Sequence, residues 1–306
     1  YDKALYKLAW TNYRLDQFDE SVKNFVALVD FADEQKRLTG KTGSELRVEA
    51  LQYIAISLAD EKWGGLERAQ EVLGKMEDRP YVGEMWKRFG EILFDQTRFQ
   101  LAINVMRMTR DKYPNASYNP EIQAKIITSY ERLRDFAGAT RAREALVAKY
   151  DEGSDWYTTN GSDTKALERA RELTERSLYR AAIYNHQQAQ AYKQANQQVK
   201  AKDSYARAST GYRTYLARFP ESKNSYDFNF YLAECLYYSD DYLVAAKQYE
   251  LVRDSNADNR HLEGAALSAV VSYEQLVEGL EKSGQLSTEK FLTAAERNDA
   301  PIKAKD

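Results

Sequence analysis

Apolar residues recur at helical spacing along almost the whole chain, and no six-residue stretch alternates as a half-buried strand would. Four stretches share more than a period. They run through Leu5, Ala9, Tyr13, Phe18, Ser21 and Phe25; Trp86, Gly90, Phe94, Phe99, Ala102 and Met106; Ile126, Tyr130, Phe136, Ala139 and Leu146; and Leu232, Ala233, Tyr237, Tyr242, Ala245 and Tyr249. In each, a small residue stands twelve positions before a second: Ala9 and Ser21, Gly90 and Ala102, Ala233 and Ala245, with the larger Ile127 before Ala139. An aromatic precedes the second by three: Phe18, Phe99, Phe136, Tyr242. A further, degenerate copy sets Ala55 and Ala69 fourteen apart around Trp63-Gly64-Gly65, so its turn should be two residues longer. Repeats of about 34 residues with this spacing predict helical hairpins that stack on one another.

Glycines and prolines fall where such hairpins should turn: Gly40 to Gly43, Gly64-Gly65, Arg79-Pro80, Tyr113-Pro114, Gly153, Gly161, Phe219-Pro220 and Ser283-Gly284. Residues 1–150 therefore read as N-terminal repeats. Residues 151–163 (Asp-Glu-Gly-Ser-Asp-Trp-Tyr-Thr-Thr-Asn-Gly-Ser-Asp) lack a helical pattern and read as an irregular connector, with Trp156 and Tyr157 lying on a neighbouring helix or forming a binding loop. Ser162 or Asp163 suits the cap of the helix that follows. Residues 164–220 predict an extended hairpin: a helix from Thr164 to Gln198, free of glycine and proline, then a partner from Val199 to Ala217. Residues 221–306 read as further repeats, ending in what looks like an unfinished hairpin before Ala300-Pro301-Ile302-Lys303. Because Tyr1-Asp2-Lys3 already lies within a helical pattern and no methionine starts the chain, a piece of a longer protein is expected.

The spacing of small residues and aromatics resembles the tetratricopeptide repeat. The resemblance covers most of residues 2–257, with departures at Ile127 and at Asp151, where a proline is usual. It implies an all-α, right-handed superhelical solenoid of hairpins, here with one extended central hairpin. It also implies that the first helix of each hairpin lines a concave groove. In that frame Tyr6, Trp10 and Tyr13, then Lys87, Glu91 and Phe94, then Phe230, Glu234, Tyr237 and Tyr238 point into the groove. Aromatic residues supply much contact area with few rotors. The partner-binding residues expected on this basis are Tyr6, Trp10, Tyr13, Phe94, Phe230, Tyr237 and Tyr238. Tyr6 and Trp10 stand where carboxylate-clamping members of the family carry lysine and asparagine, and Glu91 occupies another asparagine position, which disfavours capture of a C-terminal carboxylate. The junctions Lys112-Tyr113-Pro114-Asn115-Ala116-Ser117 and Arg218-Phe219-Pro220-Glu221-Ser222-Lys223 are similar to those of bacterial envelope members, among them the lipoprotein of the outer-membrane assembly machine and periplasmic cell-wall coordinators.

Composition narrows the chemistry. Charged residues make up 30% of the 306 and nearly balance, with net charge −3, so no global field favours nucleic acid or an anionic membrane. No apolar run approaches the ~20 residues of a membrane span. The single Cys235 cannot form an internal disulfide and reads as a small packing residue. The two histidines, His186 and His261, have no partner at zinc-like spacing and read as surface residues. Thr39-Gly40-Lys41-Thr42-Gly43 lacks the earlier glycine and preceding strand of a phosphate loop and reads as a flexible turn. No cofactor, metal or catalytic residue is expected.

The sequence thus predicts a non-enzymatic scaffold that holds a peptide or helical segment of another protein. The resemblance puts it in the periplasm or envelope of a Gram-negative bacterium, assembling a complex for outer-membrane assembly, secretion or motility. The alternatives are a cytoplasmic adaptor, and the interaction part of a longer enzyme whose catalytic domain lies elsewhere.

Overall fold

The computed structural model describes residues 1–286; the end of the unfinished hairpin expected before Ala300-Pro301-Ile302-Lys303 lies outside them. Among the described residues the chain is all-helical, with fourteen α-helices and no strand. They are α1 (Asp2–Arg14), α2 (Phe18–Thr39), α3 (Arg47–Ala59), α4 (Gly65–Gly74), α5 (Val82–Asp95), α6 (Phe99–Lys112), α7 (Asn119–Arg132), α8 (Phe136–Tyr150), α9 (Asp155–Thr159), α10 (Thr164–Gln194), α11 (Gln198–Arg218), α12 (Ser225–Tyr238), α13 (Tyr242–Asp254) and α14 (Leu262–Lys282), with a 3-10 turn at Glu61–Trp63. The chain forms two compact units, Tyr1–Thr174 and a second from Glu175 onward, so the boundary falls inside α10. This partition cuts the chain elsewhere than the sequence-based segments 151–163 and 164–220. In unit 1, α1 packs on α2, α2 on α3, α3 on α4 and α5, and α5 through α8 pack each on the next. In unit 2, α11 packs on α12, α12 on α13 and α13 on α14.

One turn recurs in five hairpins: α1/α2, α5/α6, α7/α8, α10/α11 and α12/α13. Its centre is left-handed at Asp16 (φ 57°), Thr97 (61°), Arg134 (58°), Asn196 (59°) and Asp240 (67°). Each time, that residue's N–H bonds the carbonyl three back, and the next N–H bonds the carbonyl five back, as in Asp16 to Tyr13 and Gln17 to Asn12. This is the paired-bond helix ending that usually needs glycine, because a Cβ disfavours positive φ. Here it is built without glycine, so a scan for glycine and proline passes over it. Most of the breakers instead separate one hairpin from the next: Gly40 closes α2 at φ 69°, and Pro80, Pro114 and Pro220 precede α5, α7 and α12. Gly64 and Gly65, both at positive φ, are the exception, forming the longer turn of α3/α4.

The junctions between hairpins repeat as well. Asn119 donates its side-chain N–H to the Tyr113 carbonyl, and Ser225 donates its hydroxyl to the Phe219 carbonyl, each six residues back. The aromatic before the proline ends its helix with nearly the same dihedrals in both, φ −122° and ψ 65° at Tyr113, φ −127° and ψ 58° at Phe219.

The small residues sit where helices cross. Ala9, Ser21, Ala102, Ala139, Ala233 and Ala245 are fully buried. A Cβ added at Gly90 would stand 2.9 Å from Met106 Cγ, closer than packed atoms tolerate. The recurring turn also appears in the extended hairpin expected over 164–220, whose first helix is a little shorter than expected. Ala189 and Ala201, twelve apart and both buried, hold the same register around Asn196, and α10 ends at Gln194 rather than running to Gln198. Gln198 fills the place where the other hairpins carry an aromatic, which is why the copy escaped notice.

Residues 151–163 are less irregular than expected. They contain α9, capped by the Ser154 hydroxyl, which accepts from the Tyr157 N–H. Trp156 is buried, meets Tyr150 edge-on at 5.4 Å and donates Nε1–H to the Ala116 carbonyl at 2.8 Å. It belongs to the core formed with Ile122, Ile126, Leu146 and Leu173. Asp163 caps α10, its carboxylate accepting from the Ala166 N–H.

Candidate partner-binding surface

The seven aromatics singled out in the sequence fall into distinct settings. Tyr13, Phe94 and Tyr237 occupy one register position, three residues before the left-handed turn centre. Each meets the aromatic that opens the next helix edge-on: Tyr13 with Phe18 at 5.9 Å, Phe94 with Phe99 at 5.5 Å, Tyr237 with Tyr242 at 5.4 Å, all at 67–70°. Such pairs gain about 0.5–1.5 kcal/mol beyond burial. These three rings therefore close their own hairpins, and all are half-buried.

Tyr6 and Trp10 lie half-buried against the unit 1 core. Tyr6 donates its hydroxyl to Glu49 Oε1 on α3 at 2.5 Å and meets Phe25 edge-on. Burial, then the Glu49 contact, holds the Tyr6 phenol well above its ordinary range. Trp10 carries the Arg14 guanidinium 4.9 Å above its ring. Polar pairing continues both within and between helices in this unit. Arg47 on α3 binds Asp33 on α2 and Glu84 on α5; Arg88 reaches Gln52 and Glu84; Lys87 pairs with Glu91; Lys125 on α7 lies over the Phe94 ring at 4.9 Å. A cleft of about 740 Å³ in unit 1 opens between Tyr81, Tyr113 and Tyr118, and its Arg47 and Lys112 are already held by carboxylates.

Unit 2 differs. On α12 the residues Tyr231, Glu234 and Tyr238 follow one another at helical spacing. Tyr231 meets the His186 ring of α10 edge-on at 5.8 Å. Tyr238, 37% exposed, leans on Tyr205 of α11 with centroids 4.9 Å apart. The Lys193 ammonium of α10 sits 3.6 Å from the centroid of Tyr238. Glu234 lies among these rings, half-buried, with neither a hydrogen bond nor an ion pair among the described residues. Burial holds its carboxyl above the usual range, and the positive field of His261 and Lys193 opposes that rise.

Neither histidine is the surface residue expected. His186 is buried, its Nδ1 3.0 Å from the Tyr212 hydroxyl and its ring edge-on to Tyr205, Tyr212 and Tyr231. Burial lowers its pKa to about 4. His261 stacks on Phe230 at 4.2 Å with planes 4° apart, and on Tyr226, while its Nε2 meets Asp227 Oδ1 at 2.9 Å. Phe230 is thus covered on one face by an imidazole. Helical spacing alone shows neither contact, because each joins residues at least 26 positions apart. Cys235 is buried at the back of α12, its thiol pushed up by burial.

Among the described residues no group of three or more histidine, cysteine, aspartate or glutamate side chains is placed to hold a metal ion, and no helix is long and apolar enough to cross a membrane. No protein-family model matches the chain, and a search of curated proteins finds no match.

Proposed function

We propose that this chain is a non-enzymatic interaction scaffold of tetratricopeptide type, whose hairpins stack as a solenoid and hold a segment of another protein. The recurrence of one hairpin turn and one inter-hairpin junction supports the architecture, since identical connections between helices of matched register generate a repeating stack. The observation that carries the function is the α12 surface of unit 2. There Tyr231 and Tyr238 flank a half-buried carboxylate that has no hydrogen bond or ion pair among the described residues. Tyrosines around a desolvated polar group are the composition of a binding hot spot. We place the contact there rather than at Tyr6, Trp10 and Tyr13, because the Tyr6 hydroxyl and its neighbouring charges are engaged within unit 1. The likeness of the Tyr-Pro and Phe-Pro junctions to those of envelope members favours a bacterial envelope as its setting.

A photo-crosslinking residue at Tyr238, with one at the exposed Lys247 of α13 as control, tests the reading in native cells. One protein crosslinked from position 238, absent from 247 and lost on Tyr231→Ala, is the expected result. Equal labelling from both positions, or from neither, defeats it.

A further inference from the structure

The α12 surface already contains a bound cation of its own. Lys193, in the last turn of α10, directs its ammonium onto the Tyr238 ring at 3.6 Å, the shortest cation–ring distance in the described structure. No carboxylate holds this lysine among the described residues. At other cross-helix contacts Arg47, Lys62, Arg68 and Lys202 are paired with acids, whereas Lys193, like Lys125 over Phe94, meets a ring. Beside it stands Glu234, one turn before Tyr238 on the same face of α12, an acid that no cation closes upon. The Tyr205 ring backs Tyr238 at 4.9 Å, and its phenol feels the charge of Glu234. An aromatic face next to an unpaired, partly desolvated carboxylate is complementary to one cation, because ring quadrupole and carboxylate both attract positive charge and both gain as water leaves.

We propose that Tyr205, Tyr238 and Glu234 form a receptor for one lysine or arginine side chain of the partner protein, and that Lys193 fills the aromatic half of it until the partner arrives. This rests on the reading of α12 as the partner surface and adds the chemistry of the residue captured. Lys193 is exposed along its length and sits at a helix end, so it can swing off the ring without unfolding anything. Its departure leaves the ring to the incoming cation. Glu234, which Lys193 reaches only through space, then gains the direct partner it lacks. A guanidinium suits the pair well, since it can stack on a ring and hydrogen-bond a carboxylate together.

The full chain is titrated with three fluorescent peptides of equal length: one bearing a single arginine in a neutral sequence, one with glutamine there, one with glutamate. The arginine peptide should bind more tightly than the other two. Lys193→Ala should tighten it about threefold by removing the internal competitor, and Glu234→Gln should weaken it about tenfold. Glu263→Gln, an exposed acid on α14, removes the same charge and should change nothing, which separates the site from the general acidity of the chain. In the free protein the Lys193 ε-methylene protons should be shifted upfield by the Tyr238 ring, and the arginine peptide should return them to ordinary values. If Lys193→Ala weakens binding or leaves it unchanged, the competitor role fails. If all three peptides bind alike and lose affinity on Tyr238→Ala, α12 remains a partner surface but the cation receptor is wrong. If the arginine peptide binds neither the wild type nor Lys193→Ala, the receptor is wrong as well, and crosslinking from position 238 judges the surface independently.

Discussion

The two units are built from the same hairpin, yet they dress the first helix of each hairpin differently. In unit 1 polar side chains on α1, α3 and α5 reach across to their neighbours: Tyr6 to Glu49, Arg88 to Gln52, Arg47 to Glu84. In unit 2 α12 meets its neighbours largely through rings, Tyr231 with His186, Tyr238 with Tyr205 and Phe230 with His261, beside the Asp227–His261 contact, and among the described residues Glu234 has neither a hydrogen bond nor an ion pair. Such cross-helix polar contacts contribute modestly to stability, about 0.5–1.5 kcal/mol for a hydrogen bond and a median of about 0–1 kcal/mol for an exposed ion pair. What they do is use up hydrogen-bonding capacity, so a partner approaching unit 1 must first break bonds. Unit 2 keeps ring area and one acid available. One chain thus carries a region whose polar groups are paired internally and one that leaves an acid unpaired among the described residues, and small residues stand at the crossings of both.

The sharpest way to separate the units is acid. Both histidines lie in unit 2, and His186 has its pKa lowered by burial from 6.5 to about 4. A base depressed in the folded state contributes stability that is present above the unfolded pKa and is lost as pH falls toward the folded one. Unit 2 should therefore lose on the order of 3 kcal/mol between pH 6.5 and pH 4. Hydrogen exchange read in α12 should show the loss, and His186→Gln should remove that part of it. Amides of α5 should show no matching change near pH 6, since unit 1 has no histidine. Equal loss of protection in both units across this window would mean that the buried imidazole does not set the difference.

Overpacking comes next. Gly90→Leu should force Met106 aside and cost unit 1 about 1–3 kcal/mol, with Ala233→Leu doing the same to unit 2. Protection should fall in the unit that carries the change. A variant that melts like the wild type would show that the crossing is looser than its contacts indicate.

The shared turn offers a smaller, reciprocal test. Thr97 is β-branched and held at φ 61°, whereas Asn196 tolerates φ 59° easily. Thr97→Asn should stabilise unit 1 by about 1 kcal/mol, and Asn196→Thr should destabilise unit 2 by a similar amount. Chemical denaturation of the two single variants checks the pair. Smallest of all should be Arg88→Ala, which removes one cross-helix contact of unit 1 at a cost under about 1 kcal/mol. A larger loss would make the polar contacts structural rather than merely satisfying.

Much of this architecture is present in local sequence. The pairs twelve apart, Ala9 with Ser21, Gly90 with Ala102 and Ala233 with Ala245, follow from the need for close approach at a crossing after a turn of fixed length, and their spacing alone marks the hairpins. The turn itself was hidden, because Asp16, Thr97, Arg134, Asn196 and Asp240 are ordinary polar residues whose positive φ is imposed by the two hydrogen bonds around them. Where Gln198 replaced the aromatic, the copy around Ala189 and Ala201 disappeared with it. The helical class, the spacing of the crossings and the aromatic richness of α12 belong to the sequence, since each depends on residues a few positions apart. The burial of His186 and Trp156, the ring-closing roles of Tyr13, Phe94 and Tyr237, the seat of Lys193 on Tyr238 and the isolation of Glu234 belong to the tertiary structure. They depend on which side chains from separate helices fill the same space, and periodicity along one helix carries no information about that.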